Sequence, residues 1–120
     1  AITAFSADAF SNNATIQSLT FEGGDILFNV GAFVNQQALK TLRFAGDAPV
    51  EIKAWAFTNC NVLETIEFSS MTPPVIEGCG LKTDDGKALP KVTAIYVPAG
   101  ATDAYKESMP EYSSVIQAKQ

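Results

Sequence analysis

The chain has 120 residues, 47% of them apolar and 18% charged, which is enough to bury one core and too apolar for a disordered segment. Its net charge of −5, with no clustering of the eight Lys and Arg, argues against a nucleic-acid partner and against an anionic membrane surface. There is no His, so the commonest general base and metal ligand is missing, and no apolar run reaches the ~20 residues of a membrane helix.

The first ten residues, Ala1 to Phe10, lack the basic n-region of a signal peptide, and the chain opens without Met. Both points suggest a mature product or a piece of something longer. A repeat then takes over, and the phenylalanines mark it. Phe10, Phe33 and Phe57 are 23 and 24 residues apart, as are Phe21, Phe44 and Phe68, and Phe5 precedes Phe28 by 23. Those eight are every Phe in the chain.

The first copy, about residues 2–25, carries Ala9-Phe10 and then Ile16-x-x-Leu19-x-Phe21, with Gly23-Gly24 as the turn to the next. The second, about 26–48, repeats this as Ala32-Phe33 and Leu39-x-x-Leu42-x-Phe44. The third, about 49–72, has Ala56-Phe57 and Leu63-x-x-Ile66-x-Phe68. The fourth, about 73–98, is altered. Pro73 and Ile76 match Pro49 and Ile52, Leu81 stands at the Phe position, and Val92-x-x-Ile95-x-Val97 restores the strand pattern. Eleven residues separate Leu81 from Val92 where the other copies have six, so five are inserted near 82–91, with Asp85-Gly86 as a tight turn. Gly78 and Gly80 read as loosening this copy.

Residues 99–120 predict a cap. A short helix is expected over Gly100–Met109, with Gly100 or Thr102 near its N-cap and Pro110 ending it. Ala101, Ala104, Tyr105 and Met109 would share the face turned to the last coil, and Tyr112, Val115 and Ile116 would complete the lid. No comparable cap is visible at the N-terminus, so the first coil is expected to present an open edge able to self-associate.

Alternation such as Leu42-Arg43-Phe44 is that of a strand with one face inward, and one such strand cannot bury that face alone. Stacking the copies does so, with like residue over like in the ladders Leu19-Leu42-Ile66-Ile95 and Phe21-Phe44-Phe68-Val97. The expected fold is a single strand-dominated solenoid domain, 1–120: a parallel sheet of about four stacked coils, with short strands or turns on the return side and a short C-terminal helix as cap.

A period of 20–29 with L-x-x-L-x-[apolar] is the leucine-rich-repeat signature. Asn59-Cys60-Asn61-x-Leu63-x-x-Ile66-x-Phe68 resembles the BspA-like class of that family, found in bacterial surface proteins. Tyr96-Val97-Pro98-Ala99-Gly100 followed by Ala104-Tyr105-Lys106 resembles the terminal unit of the class. The likeness runs from about Phe5 to Lys106. It departs from the class at the Cys position, which Asn13 and Gln36 hold in the first two copies, and at the strand end, where Phe replaces Leu or Ile. The resemblance implies a right-handed leucine-rich-repeat solenoid, an extracellular or bacterial cell-surface location, and a role in adhesion or protein interaction, with no catalytic set.

The outward strand positions are the candidate binding residues. They stack into the rows Thr20-Arg43-Glu67-Tyr96, Ser18-Thr41-Thr65-Ala94 and Gln17-Lys40-Glu64-Thr93. The bland alternative is a solvated face on which Arg43 pairs with Glu67 and Lys40 with Glu64. Tyr96 is the strongest contact candidate, since aromatics concentrate in interfaces.

Cys60 and Cys79 are open to a disulfide or to burial as thiols. Trp55 is open to exposure as a contact or to packing over a coil. Asp84-Asp85-Gly86 reads as a plain turn, without the six to eight oxygens calcium needs. Glu64 with Glu67, and Asp103 with Glu107, are neighbours on one face and do not confront each other across a cleft. No enzymatic activity and no cofactor are expected. The function so read is a secreted or surface module that binds a protein or glycan partner on its strand face; the alternative is a terminal stack or spacer without a ligand of its own.

Overall fold

The computed structural model of the protein describes residues 2–5, 10, 12–22, 25–47 and 50–119. Each repeat forms a coil with two short strands, and parallel pairing joins each strand to its counterpart in the next coil. One sheet runs β1 (Ile2–Phe5), β3 (Asp25–Phe28), β5 (Val50–Ile52), β7 (Val75–Ile76) in that order. The other runs β2 (Ser18–Phe21), β4 (Thr41–Phe44), β6 (Thr65–Phe68), β8 (Ala94–Val97) and β9 (Ile116–Ala118). The result is a β-solenoid of about four turns with one short helix, α1 (Thr102–Ser108).

Period-2 alternation dictates which residues face in. In β4, Leu42 and Phe44 are buried while Thr41 and Arg43 are exposed, and in the second sheet Leu19 pairs with Leu42, Leu42 with Ile66, and Ile66 with Ile95. Parallel strands lie ~4.8 Å apart, so a ring repeated in register stacks on its predecessor. Phe33 stacks on Phe57 at 5.2 Å and 3° between planes, and Phe44 on Phe68 at 5.0 Å and 11°. Between columns the rings meet edge to face, as Phe28 meets Phe57 at 4.9 Å and 67°. Both arrangements satisfy the ring quadrupole, so the Phe columns interlock in the centre of the core.

The two sheets are joined by a long corner in each coil. It begins with a tight turn in which Ala32 N–H donates to the Asn29 carbonyl at 3.1 Å and Ala56 N–H to Lys53 at 3.1 Å. Further along, Asn12, Asn35 and Asn59 take up φ of +57°, +58° and +60°. Asparagine is among the few residues with a side chain that tolerate this region.

In the fourth coil Gly80 corrects the expectation that it loosens the packing. A β-carbon on Gly80 would lie 2.8 Å from both the Lys53 carbonyl oxygen and Ile52 Cγ2. The missing side chain lets Phe57 N–H reach the Gly80 carbonyl at 2.6 Å, so this glycine serves close approach of two backbones. The added residues form a turn outside the coil. There Thr83 N–H donates to the Lys87 carbonyl at 2.9 Å and Gly86 N–H to Thr83 at 3.0 Å. The chain then returns inward at Leu89 and Val92, both buried.

The C-terminal segment covers the last coil, with two differences from expectation. The N-cap of α1 is Ala101, without a side-chain cap bond, and Ala104 faces solvent while Ala101, Tyr105 and Met109 are buried. Tyr105 donates its hydroxyl to the Ser70 carbonyl at 2.6 Å. After a 3-10 turn at Pro110–Tyr112, the Tyr112 hydroxyl donates to the Leu81 carbonyl at 2.6 Å and accepts Leu89 N–H at 2.9 Å. The lid segment then enters the sheet as β9, parallel to β8, with Ile95 opposite Ile116. Ala9, the Gly23-Gly24 turn and the match of Pro49 to Pro73 lie outside the described residues. Among the described residues, no helix is long and apolar enough to cross a membrane.

Candidate functional site

The outward face of the five-stranded sheet carries the rows read from the sequence. Thr20 pairs in register with Arg43, Arg43 with Glu67, Glu67 with Tyr96, and Tyr96 with Gln117 of β9. Arg43 Nε donates to Glu67 Oε2 at 2.6 Å. Lys119 Nζ lies 3.7 Å from the same oxygen and donates to Ser69 Oγ at 2.8 Å. One carboxylate is thus held between two cations. Lys119 was invisible as a member of this face because β9 lies beyond the repeat.

The flanking rows are plainer. Ser18, Thr41 and Thr65 align with Ala94, which is buried. Gln17, Lys40, Glu64 and Thr93 stack through the backbone, with Lys40 N–H donating to Gln17 and Glu64 N–H to Lys40. All four are exposed, and among the described residues no ion pair joins Lys40 to Glu64, contrary to the expected pairing. Tyr96 is half-buried.

On the long corner Trp55 is 43% exposed, at φ +68°. It fills the turn position that Gly31 holds at φ +74° one coil earlier. Beside this turn Lys53 Nζ pairs with Glu77 Oε2 at 2.9 Å, and that hydrogen bond holds the Lys53 ammonium above its usual pKa.

Both cysteines are free thiols. Cys60 is buried and donates to the Phe33 carbonyl at 3.4 Å, and burial pushes its pKa up to about 12. An inert thiol of this kind is a structural group. Among the described residues, no group of His, Cys, Asp or Glu is placed to hold a metal ion. Asp85 is engaged within its own turn by the Thr83 hydroxyl, which holds the carboxyl below its usual range.

Apolar periodicity passes over the other site. An open groove of about 360 Å³ lies on the long corner between the second and third coils, lined by Asn35, Gln36, Gln37, Asn59, Asn61 and Val62. Five side-chain amides and one Val make up its walls, and none of the six ionises. Gln36 is buried and donates Nε2 to the Phe10 carbonyl at 2.5 Å. Cys60 makes the same back-reaching bond one coil later, so Gln36 and Cys60 are structural equivalents. The bond to Phe10 fixes the orientation of the Gln36 amide, and its Oε1 is left buried without a hydrogen-bond partner.

The asparagine column is also interrupted here. Asn35 Nδ2 donates to Asn12 Oδ1 at 2.9 Å. Among the described residues, no such bond links Asn59 Nδ2 to Asn35 Oδ1; on its other side Asn59 Oδ1 accepts the N–H of Asp84 from the inserted turn, at 3.1 Å. The spacing of Asn12, Asn35 and Asn59, 23 and 24 residues, matches the Phe phase and is the sequence signal for this column. Comparison with protein-family models, with curated proteins and with solved structures finds no match for the chain.

Proposed function

We propose that this chain is a non-catalytic interaction module of a secreted or cell-surface protein, a leucine-rich-repeat solenoid of the BspA-like class that meets a protein or glycan partner on its five-stranded sheet. The row Thr20-Arg43-Glu67-Tyr96, in register across four strands, carries this reading. A parallel sheet presents such a row on a stiff surface, so little ordering has to be supplied on binding. The surface location and the leucine-rich class rest on the resemblance of residues 59–68 and 96–106.

The test is binding of the 120-residue chain to an array of extracellular-matrix proteins and surface glycans, beside an Arg43→Glu, Tyr96→Ala double variant. Saturable binding by the parent that the variant loses, with the thermal transition within a few degrees of the parent's, supports the face. Exposed ion pairs contribute at most about 1 kcal/mol, so the variant should stay folded. If the parent binds nothing on the array, the reading fails. One observation favours the spacer alternative: Glu67 is already satisfied by Arg43 and Lys119, and Lys53 pairs with Glu77.

A further inference from the structure

We infer that the amide-lined groove between the second and third coils is a binding site for an uncharged carbohydrate. It is separate from the strand face and does not depend on that reading.

The lining chemistry selects the ligand class. An anion would find no Lys or Arg among Asn35, Gln36, Gln37, Asn59, Asn61 and Val62, and a cation no carboxylate. An apolar ligand would find Val62 alone and would strip water from five amides without replacing its hydrogen bonds. A peptide adding as a strand needs a free backbone edge. Here the corner backbones are bonded to one another: Asn35 N–H to the Thr58 carbonyl at 2.9 Å, Gln37 N–H to Asn13 at 2.9 Å, and Asn59 N–H to Lys82 at 3.1 Å. What the groove offers is side-chain amide.

A primary amide presents donors and acceptors together, as does each hydroxyl of a sugar. The interrupted asparagine column frees the matching groups. Among the described residues Asn59 Nδ2 and Asn35 Oδ1 do not bond each other, while Asn59 Oδ1 accepts the Asp84 N–H of the inserted turn. Gln36 contributes less: its Nε2 is bound to the Phe10 carbonyl and its Oε1 is enclosed out of solvent's reach, so the amides offered to a ligand are those of Asn35, Gln37, Asn59 and Asn61. Gln37 and Asn61 are exposed at its rim. The groove's volume falls within the range of small-molecule sites, and Val62 supplies an apolar contact for the C–H face of a sugar ring. The backbone holding Asn35 and Asn59 is fixed by the cross-coil bonds, so these amides are pre-organised.

The experiment is an NMR titration of the full chain with maltohexaose, cellohexaose, mannohexaose and chitohexaose in turn, following backbone and side-chain amide signals. A sulfated heparin hexasaccharide serves as the charged arm. Saturable shifts of the Asn35, Gln36, Gln37, Asn59 and Asn61 side-chain signals with at least one neutral sugar are expected. A Gln37→Ala, Asn61→Ala double variant should bind that sugar about tenfold more weakly. Both side chains are exposed, so its thermal transition should match the parent's. The Arg43→Glu, Tyr96→Ala variant should bind the sugar as the parent does. The inference is overturned if none of the four sugars shifts the groove signals, if only the sulfated sugar does, or if the groove variant binds undiminished. Sugar binding lost in the strand-face variant and kept in the groove variant would remove the groove and leave the strand-face reading standing.

Discussion

Trp55 occupies a left-handed backbone position that glycine fills one coil earlier. A β-carbon there costs roughly 1–2 kcal/mol. Glycine is ordinarily the worse residue by up to about 1 kcal/mol, through its entropy in the unfolded chain. At this site the order should invert. Both Trp55→Ala and Trp55→Gly remove the indole, but only Gly removes the strain, so urea unfolding should find Trp55→Gly more stable than Trp55→Ala by about 1 kcal/mol. An Ala variant as stable as the Gly variant would mean the turn relaxes when the indole goes. Gly80 shows the complementary case: its φ is unremarkable, and what it supplies is room against the Lys53 carbonyl.

At the scale of elements, the cap is tied to the stack by two tyrosines. Tyr112 is the more exacting, since its hydroxyl both donates to Leu81 and accepts from Leu89, holding the start and the return of the inserted segment together. Tyr112→Phe keeps the ring and strands two buried backbone groups, each costing about 1–3 kcal/mol when unpaired. We expect the thermal transition to fall by several degrees, and amide exchange at Leu89 to rise by more than this global loss accounts for. An unchanged transition would show that other partners satisfy these groups. The elements differed in how far the sequence announced them. Strands β2, β4, β6 and β8 were legible from Leu19, Leu42, Ile66 and Ile95. The helix was legible from Tyr105, Met109 and Pro110, but its N-cap was not, because Ala101 carries no capping side chain. Strand β9 was hidden because Ile116 is the single buried residue among its three; its place comes from an edge offered by β8, which is tertiary information.

For the whole molecule, three buried acids point the same way. Burial pushes Cys60 up to about 12 and raises Tyr105 and Tyr112 above the usual tyrosine range. Below pH 9 the thiol is protonated in both folded and unfolded chains, and the stability tied to it is complete. Above that the unfolded thiol ionises while the folded one stays neutral until about pH 12, so stability falls through this window, by up to about 1.4 kcal/mol per pH unit. Unfolded tyrosines add the same loss from about pH 10. Cys60→Ser keeps a donor for the Phe33 carbonyl and removes the thiol, so its stability between pH 9 and 10 should be flatter than the parent's in denaturant titrations. Equal slopes would assign the alkaline loss elsewhere. The stack itself was legible because eight phenylalanines share three phases. The groove was not, because the amides were in phase but carry no apolar signal, and because the bond that Asn59 accepts from Asp84 comes from an insertion 25 residues away.

That insertion leaves the spacing of the coils untouched: Thr65, Ile66 and Glu67 meet Ala94, Ile95 and Tyr96 as if the chain between them were of ordinary length. Pitch in this molecule is therefore written across the coils, in the bonds between them, and not along the chain. Length can change at the long corner without propagating into the sheets, so a foreign loop grafted between Thr83 and Lys87 should be carried as cargo. The corner is where such a scaffold can acquire new specificities while its frame stays the same.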